Sequence, residues 1–113
     1  MAKLKKDTLI KRKRKELDEI FAALDENKRK IAQPLIDTMA FIAVELPELE
    51  EQIKAEGWTE EYQNGKNQSG MKKSAAADTY IALSKNFAAI TKQLLEICPE
   101  ATRQGKLRDF LAG

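Results

Sequence analysis

Apolar residues recur along most of this chain at intervals of three and four, the spacing that gathers them on one face of an α-helix. In the first such stretch Ile10, Leu17, Ile20, Phe21 and Leu24 share a face, with Asp18 and Glu19 on the other, which predicts a helix over residues 8–24. Lys11 to Lys15 interrupt that face near Arg14, so the start of the helix is expected to be solvated. Asp25, Glu26 and Asn27 mark a break and a new start, because acidic side chains suit the positive end of a helix. The second helix is expected over 28–45, with a stripe of Ile31, Leu35, Thr38, Met39, Ile42 and Leu46 widened by Ile36, Phe41 and Val44. Pro34 either kinks it or is the first-turn proline of a helix starting nearer Ala32; because Ile31 and Leu35 are in phase on either side, the kinked helix is preferred.

Pro47 with Glu48, Glu50 and Glu51 reads as a fresh helix start, carrying Leu49 and Ile53 and stopping at Gly57. The segment 57–73 is a polar loop in which Asn64-Gly65 is a turn dipeptide suited to closing a small hairpin. The last long helix is expected over about 74–97. Its seam of Ala76, Tyr80, Leu83, Phe87, Ile90, Leu94 and Ile97 alternates by four and three, as heptads do. A second band of Ile81, Ala88 and Leu95 lies beside the seam and is the candidate oligomer interface. Pro99 ends this helix, and Leu107, Phe110 and Leu111 suit one more short helix in the tail. The expected fold is therefore all-α: a helical hairpin core, a polar loop at 57–73 and a long heptad-striped helix at 74–97. Residues 1–15 form a basic, partly disordered segment ahead of a single helical domain over 16–113.

Composition narrows the functions open to such a fold. The chain has 113 residues, 42% hydrophobic and 34% charged, with no histidine and one cysteine. Lacking histidine, it has no imidazole general base, no imidazole zinc ligand and no histidine-dependent triad. Cys98 alone makes neither a disulfide nor a thiolate cluster. No apolar run reaches the length needed to span a bilayer, and the basic N-terminus lacks the apolar core of a secretory signal. These observations point to a cytoplasmic, non-catalytic protein without cofactor or metal.

The net charge of +2 conceals an asymmetry. Lys3, Lys5, Lys6, Lys11, Arg12, Lys13, Arg14 and Lys15 are offset only by Asp7, and everything after residue 15 is net acidic. Such density at a helix start suits a phosphate backbone, whose condensed counterions the cations displace. No aromatic residue interleaves with them, so stacking onto single strands is not indicated. The alternatives are a solvated basic tail or a helix lying on an anionic membrane, for which the apolar face is thin. Lys28, Arg29 and Lys30 at the second helix start, and Lys66, Lys72 and Lys73 around the polar loop, are further candidate phosphate contacts. The loop lacks the spacing of a nucleotide-binding phosphate cradle, and the acids between Glu45 and Glu61 lack that of a calcium loop. Trp58 and Tyr62 read as packing anchors.

Several stretches together resemble a known family. They are Pro34-Leu35-Ile36, Phe41-Ile42-Ala43-Val44, Leu49-Glu50-Glu51, the run from Glu60 through Tyr62, Asn64-Gly65 and Ser69-Gly70, Lys72-Lys73-Ser74, Lys85-Asn86-Phe87, Lys92-Gln93-Leu94-Leu95 and Cys98-Pro99. Over roughly residues 27–100 the chain resembles the small subunit of phage terminase, found in tailed phages and prophages. The resemblance implies a helical, ring-forming homo-oligomer without catalysis. Such a protein binds double-stranded viral DNA in the bacterial host cytoplasm and presents it to the large terminase subunit, which holds the ATPase and nuclease. It supplies no residue-level DNA site, and the cations above are chosen from charge and placement alone. Two other hypotheses stand beside it: a non-enzymatic helical interaction module of a phage or prophage, and a small metal-dependent nuclease resting on the carboxylates.

Overall fold

The structure, a computed structural model, describes residues 2–63, 65, 68–99 and 105–112. Its elements follow in the order α1 (Ala2–Ile20), α2 (Glu26–Glu56), β1 (Thr59–Gln63), β2 (Ser69–Lys73), α3 (Ala75–Ile97) and α4 (Lys106–Ala112). The result is a small, mostly helical domain with a minor antiparallel sheet, so the all-α expectation is corrected at residues 59–73.

Helix α1 begins six residues earlier than its apolar pattern suggested and runs unbroken across the expected division between residues 15 and 16. It ends in a tight turn, where the Ala22 and Leu24 amides donate to carbonyls three residues back. Asp25 then caps α2, its side chain accepting from the Lys28 amide at 2.9 Å. Helix α2 continues for 31 residues with both Pro34 and Pro47 inside it and stops at Gly57, whose φ of 90° suits a residue without Cβ. The helix is continuous through Pro34, as preferred, and the separate helix expected at Pro47 is corrected. A proline inside a helix removes one backbone hydrogen bond and clashes with the preceding turn, at a cost of about 3 kcal/mol. Here the buried residues Ile42, Val44 and Ile53 lie on both sides of Pro47, and their burial offsets that cost.

Burial also corrects the phase of α2. Ala32, Ile36, Met39 and Ala40 are fully enclosed, whereas Ile31 and Phe41 are 63% and 46% exposed. The buried face is broad because α2 has a neighbour on each side, α1 and α3. Both run back along it. Asp18 near the end of α1 meets Arg29, and Lys6 near its start meets Glu45 and Glu48. Leu17 and Phe21 of α1, the α2 residues just named, and Ile90 and Leu94 of α3 form the main core, which Leu107 and Phe110 of α4 close. A second, smaller core of Ile53, Ala76 and Ala77, flanked by Leu49 and Tyr80, lies where α2 ends and α3 begins.

Between those helices β1 and β2 pair antiparallel in the register Thr59↔Lys73 through Gln63↔Ser69. Every residue of β1 is exposed. No alternation of apolar and polar residues marks this strand, because it has no buried face. Ser74 caps α3 through its hydroxyl, which accepts from the Ala77 amide at 3.1 Å. The molecule is long, 61 × 32 × 23 Å, with a radius of gyration of 17.7 Å. A globule of this length would have about 13 Å. The hairpin therefore stands at one end and the main core lies toward the other.

Candidate functional site

The candidate cations fall into three groups. On α1, Lys11, Arg12, Arg14 and Lys15 are exposed, and among the described residues none of them forms an ion pair. At 100° per residue they spread over about half the circumference of the helix, within about 6 Å along its axis. The buried half is occupied by Leu17 and its helical neighbours. Lys13 belongs to that side: its ammonium lies 5.2 Å from the centroid of the Phe110 ring and 3.8 Å from Glu16.

The second group differs residue by residue. Lys28 and Lys30 are exposed, Lys30 lying 3.9 Å from Glu26. Arg29 is engaged within the fold. Its Nη2 donates to Asp18 Oδ1 at 3.1 Å, Nη1 to the Phe21 carbonyl at 3.2 Å and Nε to Gln33 Oε1 at 3.0 Å. It ties the turn after α1 to the first turns of α2, a planar three-way contact that a guanidinium can make and an ammonium cannot. In the third group Lys72 lies 3.6 Å from Glu60 and Lys73 3.6 Å from Asp78, on exposed surfaces. Lys66 lies outside the described residues.

The structure brings the first two groups to the same part of the molecule, since Asp18 of α1 meets Arg29 of α2. It separates Lys28 and Lys30 from Lys72 and Lys73 by nearly the whole of α2, about 40 Å at 1.5 Å per residue, with Lys11 to Lys15 in between, since Lys6 meets Glu45 and Glu48.

Lys6 is a cation whose engagement the sequence did not reveal. Its ammonium contacts Glu45 and Glu48, the latter at 2.9 Å. Hydrogen bonding to Glu45, and then to Glu48, holds its pKa above the usual 10.5. The clamp draws the start of the basic helix onto the acidic middle of α2. Only the tertiary arrangement reveals it, because some forty residues separate the partners.

The candidate interface on α3 is mixed. Ala88 is exposed, Ile81 is half-buried, and half-buried Leu95 packs against the main core. The hairpin end carries a feature that periodicity missed. Trp58, 54% exposed, meets Tyr80 edge to face, with ring centroids 6.0 Å apart. Together with Glu50, Ile53 and Lys54 they line an open pocket of about 300 Å³. The Tyr80 hydroxyl donates to Glu50 Oε1 at 3.1 Å, and that bond, with some burial, raises the phenol's pKa above 10.0. The sequence signal was a tryptophan directly after a helix-ending glycine, beside a seam tyrosine near the start of the next helix. Tyr62 and Met71 are exposed on the neighbouring strands. Trp58 is thus a packing anchor on one edge only.

Among the described residues no three acidic or cysteine side chains gather as a metal site, and no helix is long and apolar enough to cross a membrane. Comparison with models of known families, with curated proteins and with solved structures returned no match.

Proposed function

We propose that this chain is a non-catalytic helical interaction protein of a phage or prophage, working through its surfaces. Its narrower role, in this reading, is that of a terminase small subunit. It binds double-stranded viral DNA as a homo-oligomer, a ring, in the bacterial cytoplasm and presents it to the large subunit, where the ATPase and nuclease chemistry belongs.

The observation that carries the DNA half is the cationic exposed face of α1. Lys11, Arg12, Arg14 and Lys15 crowd one turn with no acidic partner among the described residues, while the other side of the helix is held in the core. A rigid helix presenting fixed charges suits backbone contact, which positions a duplex without reading its sequence. Lys28 and Lys30 extend that surface. The observation that favours the broader interaction reading is the exposure of Trp58, Tyr62 and Met71 at the hairpin end, an apolar group of the kind that marks a protein contact. In the assembled form the band of Ile81, Ala88 and Leu95 contributes to the contact between copies.

Titration of labelled duplex DNA by fluorescence anisotropy at several salt concentrations tests the reading. Affinity that declines steeply with salt is expected. A chain indifferent to duplex DNA at low salt would remove the packaging role and leave the interaction module.

A further inference from the structure

The hairpin carries opposite charge on its two strands. β1 reads Thr59-Glu60-Glu61-Tyr62-Gln63 and β2 reads Ser69-Gly70-Met71-Lys72-Lys73. Both are edge strands, since among the described residues the sheet has no third strand. The Ser74 amide donates to the Trp58 carbonyl at 2.9 Å, which makes 58 and 74 a hydrogen-bonded pair. In an antiparallel ladder such pairs alternate. With the observed register, Glu60↔Lys72 and Tyr62↔Gly70 bond within the hairpin. The amides and carbonyls of Thr59, Glu61 and Gln63 then point away from one edge, and those of Ser69, Met71 and Lys73 from the other. Each edge is a row of peptide groups open to another strand.

We propose that these edges join copies of this chain, β1 of one copy pairing antiparallel with β2 of the next. The charges decide the pairing. Two β1 edges would set Glu60 and Glu61 against their counterparts, and two β2 edges would set Lys72 and Lys73 against theirs; like charges across strands repel. A β1 edge beside a β2 edge sets acids against lysines, with both hairpins pointing the same way and the register already used within each. The contact is heterologous, so every copy keeps one edge of each kind for its neighbours. It also gives this exposed two-stranded sheet the further strands that such sheets need for independent stability. The pairing rests on the functional reading only in taking copies of the chain to assemble.

Proline at an outward-facing position removes an edge amide without breaking the hairpin's own ladder. Glu61→Pro blocks the β1 edge and Met71→Pro the β2 edge. By native mass spectrometry the unaltered chain is expected as a multi-copy assembly and each variant as a monomer. Mixed in equal amounts, the two variants still offer one open β1 and one open β2 edge, so a one-to-one dimer is expected. Glu61→Lys supplies a second arm, because residue 61 directly faces Met71 in its own hairpin and Lys73 is only its diagonal neighbour. It is expected to weaken assembly at low salt. A monomeric unaltered chain, a proline variant that assembles undiminished, a mixture that stays monomeric, or an unaffected Glu61→Lys chain would each overturn the proposal. DNA titration of the same samples separates the two ideas: a monomer that binds duplex DNA sinks the pairing alone, and an edge-paired assembly without DNA affinity sinks the packaging role alone.

Discussion

Replacing Lys11, Arg12, Arg14 and Lys15 together by Gln removes the densest exposed charge on the molecule while leaving its packing untouched. All four side chains are exposed, and glutamine has nearly the helix propensity of lysine and arginine, so α1 is expected to keep its helicity and stability. The consequence for DNA can be worked from the count. A cation that neutralises one phosphate of duplex DNA contributes about −0.9 to the slope of log affinity against log salt. Four such contacts contribute about −3.6, equivalent to roughly a 150-fold fall in affinity between 50 and 200 mM salt. The fourfold variant is therefore expected to bind more weakly at low salt and to lose about that much of the slope, retaining what Lys28, Lys30 and the hairpin lysines supply. Anisotropy titrations at five or so salt concentrations, beside circular dichroism to confirm the helix, measure both quantities. An unchanged slope in a folded variant would show that the DNA contacts lie elsewhere and refute the assignment to α1.

Arg29→Lys loses the three-way contact to Asp18, the Phe21 carbonyl and Gln33. It is expected to lower stability by about 1–2 kcal/mol in urea denaturation, against less than about 0.5 for Lys28→Gln. Phe21→Ala empties a fully buried site and should cost about 3–5 kcal/mol, whereas Ile31→Ala, at an exposed position, should cost little; equal effects would contradict the observed phase of the core. Because the Lys6 pKa is raised in the folded protein, the clamp's contribution is fully present below pH 10.5 and declines as the pH rises through the raised value. Lys6→Met should remove that alkaline component, so the stability difference between the two chains narrows on going to strongly alkaline pH; a constant difference would count against the clamp.

Several helix ends were written locally and could be read: the break at Asp25, the start near Ser74, and the stops at Gly57 and Pro99. What could not be read was settled by contacts between distant segments. Pro47 carries every local mark of a helix start, yet Ile42, Val44 and Ile53 hold one continuous helix through it. Ile31 fits the periodicity as well as Ile36, and only the positions of α1 and α3 decide which is enclosed. A small hairpin in 57–73 was legible from Asn64-Gly65 and is present, but the bounds of β1 were not, since all its residues face solvent and no alternation marks them. Among the cations, sequence alone could not separate Arg29, Lys6 and Lys13, which are engaged within the fold, from Lys11, Arg12, Arg14 and Lys15, which are not.

The two prolines inside α2 also have a mechanical meaning. A proline lacks the amide that would bond the carbonyl four residues before it, so the ladder of α2 misses one rung near each. Helices bend where rungs are missing, because no hydrogen bond has to stretch. From Pro47 to the far end of the hairpin the arm measures about 30 Å, taking the helical and strand rises per residue. A flexure of about 10° at that point swings the end of the arm by about 5 Å, roughly the spacing between neighbouring strands. In the fold that point is braced: Lys6 bridges Glu45 and Glu48 across Pro47, and α3 runs unbroken past it along α2, so the clamp and α3 resist the bend that α2 alone would allow.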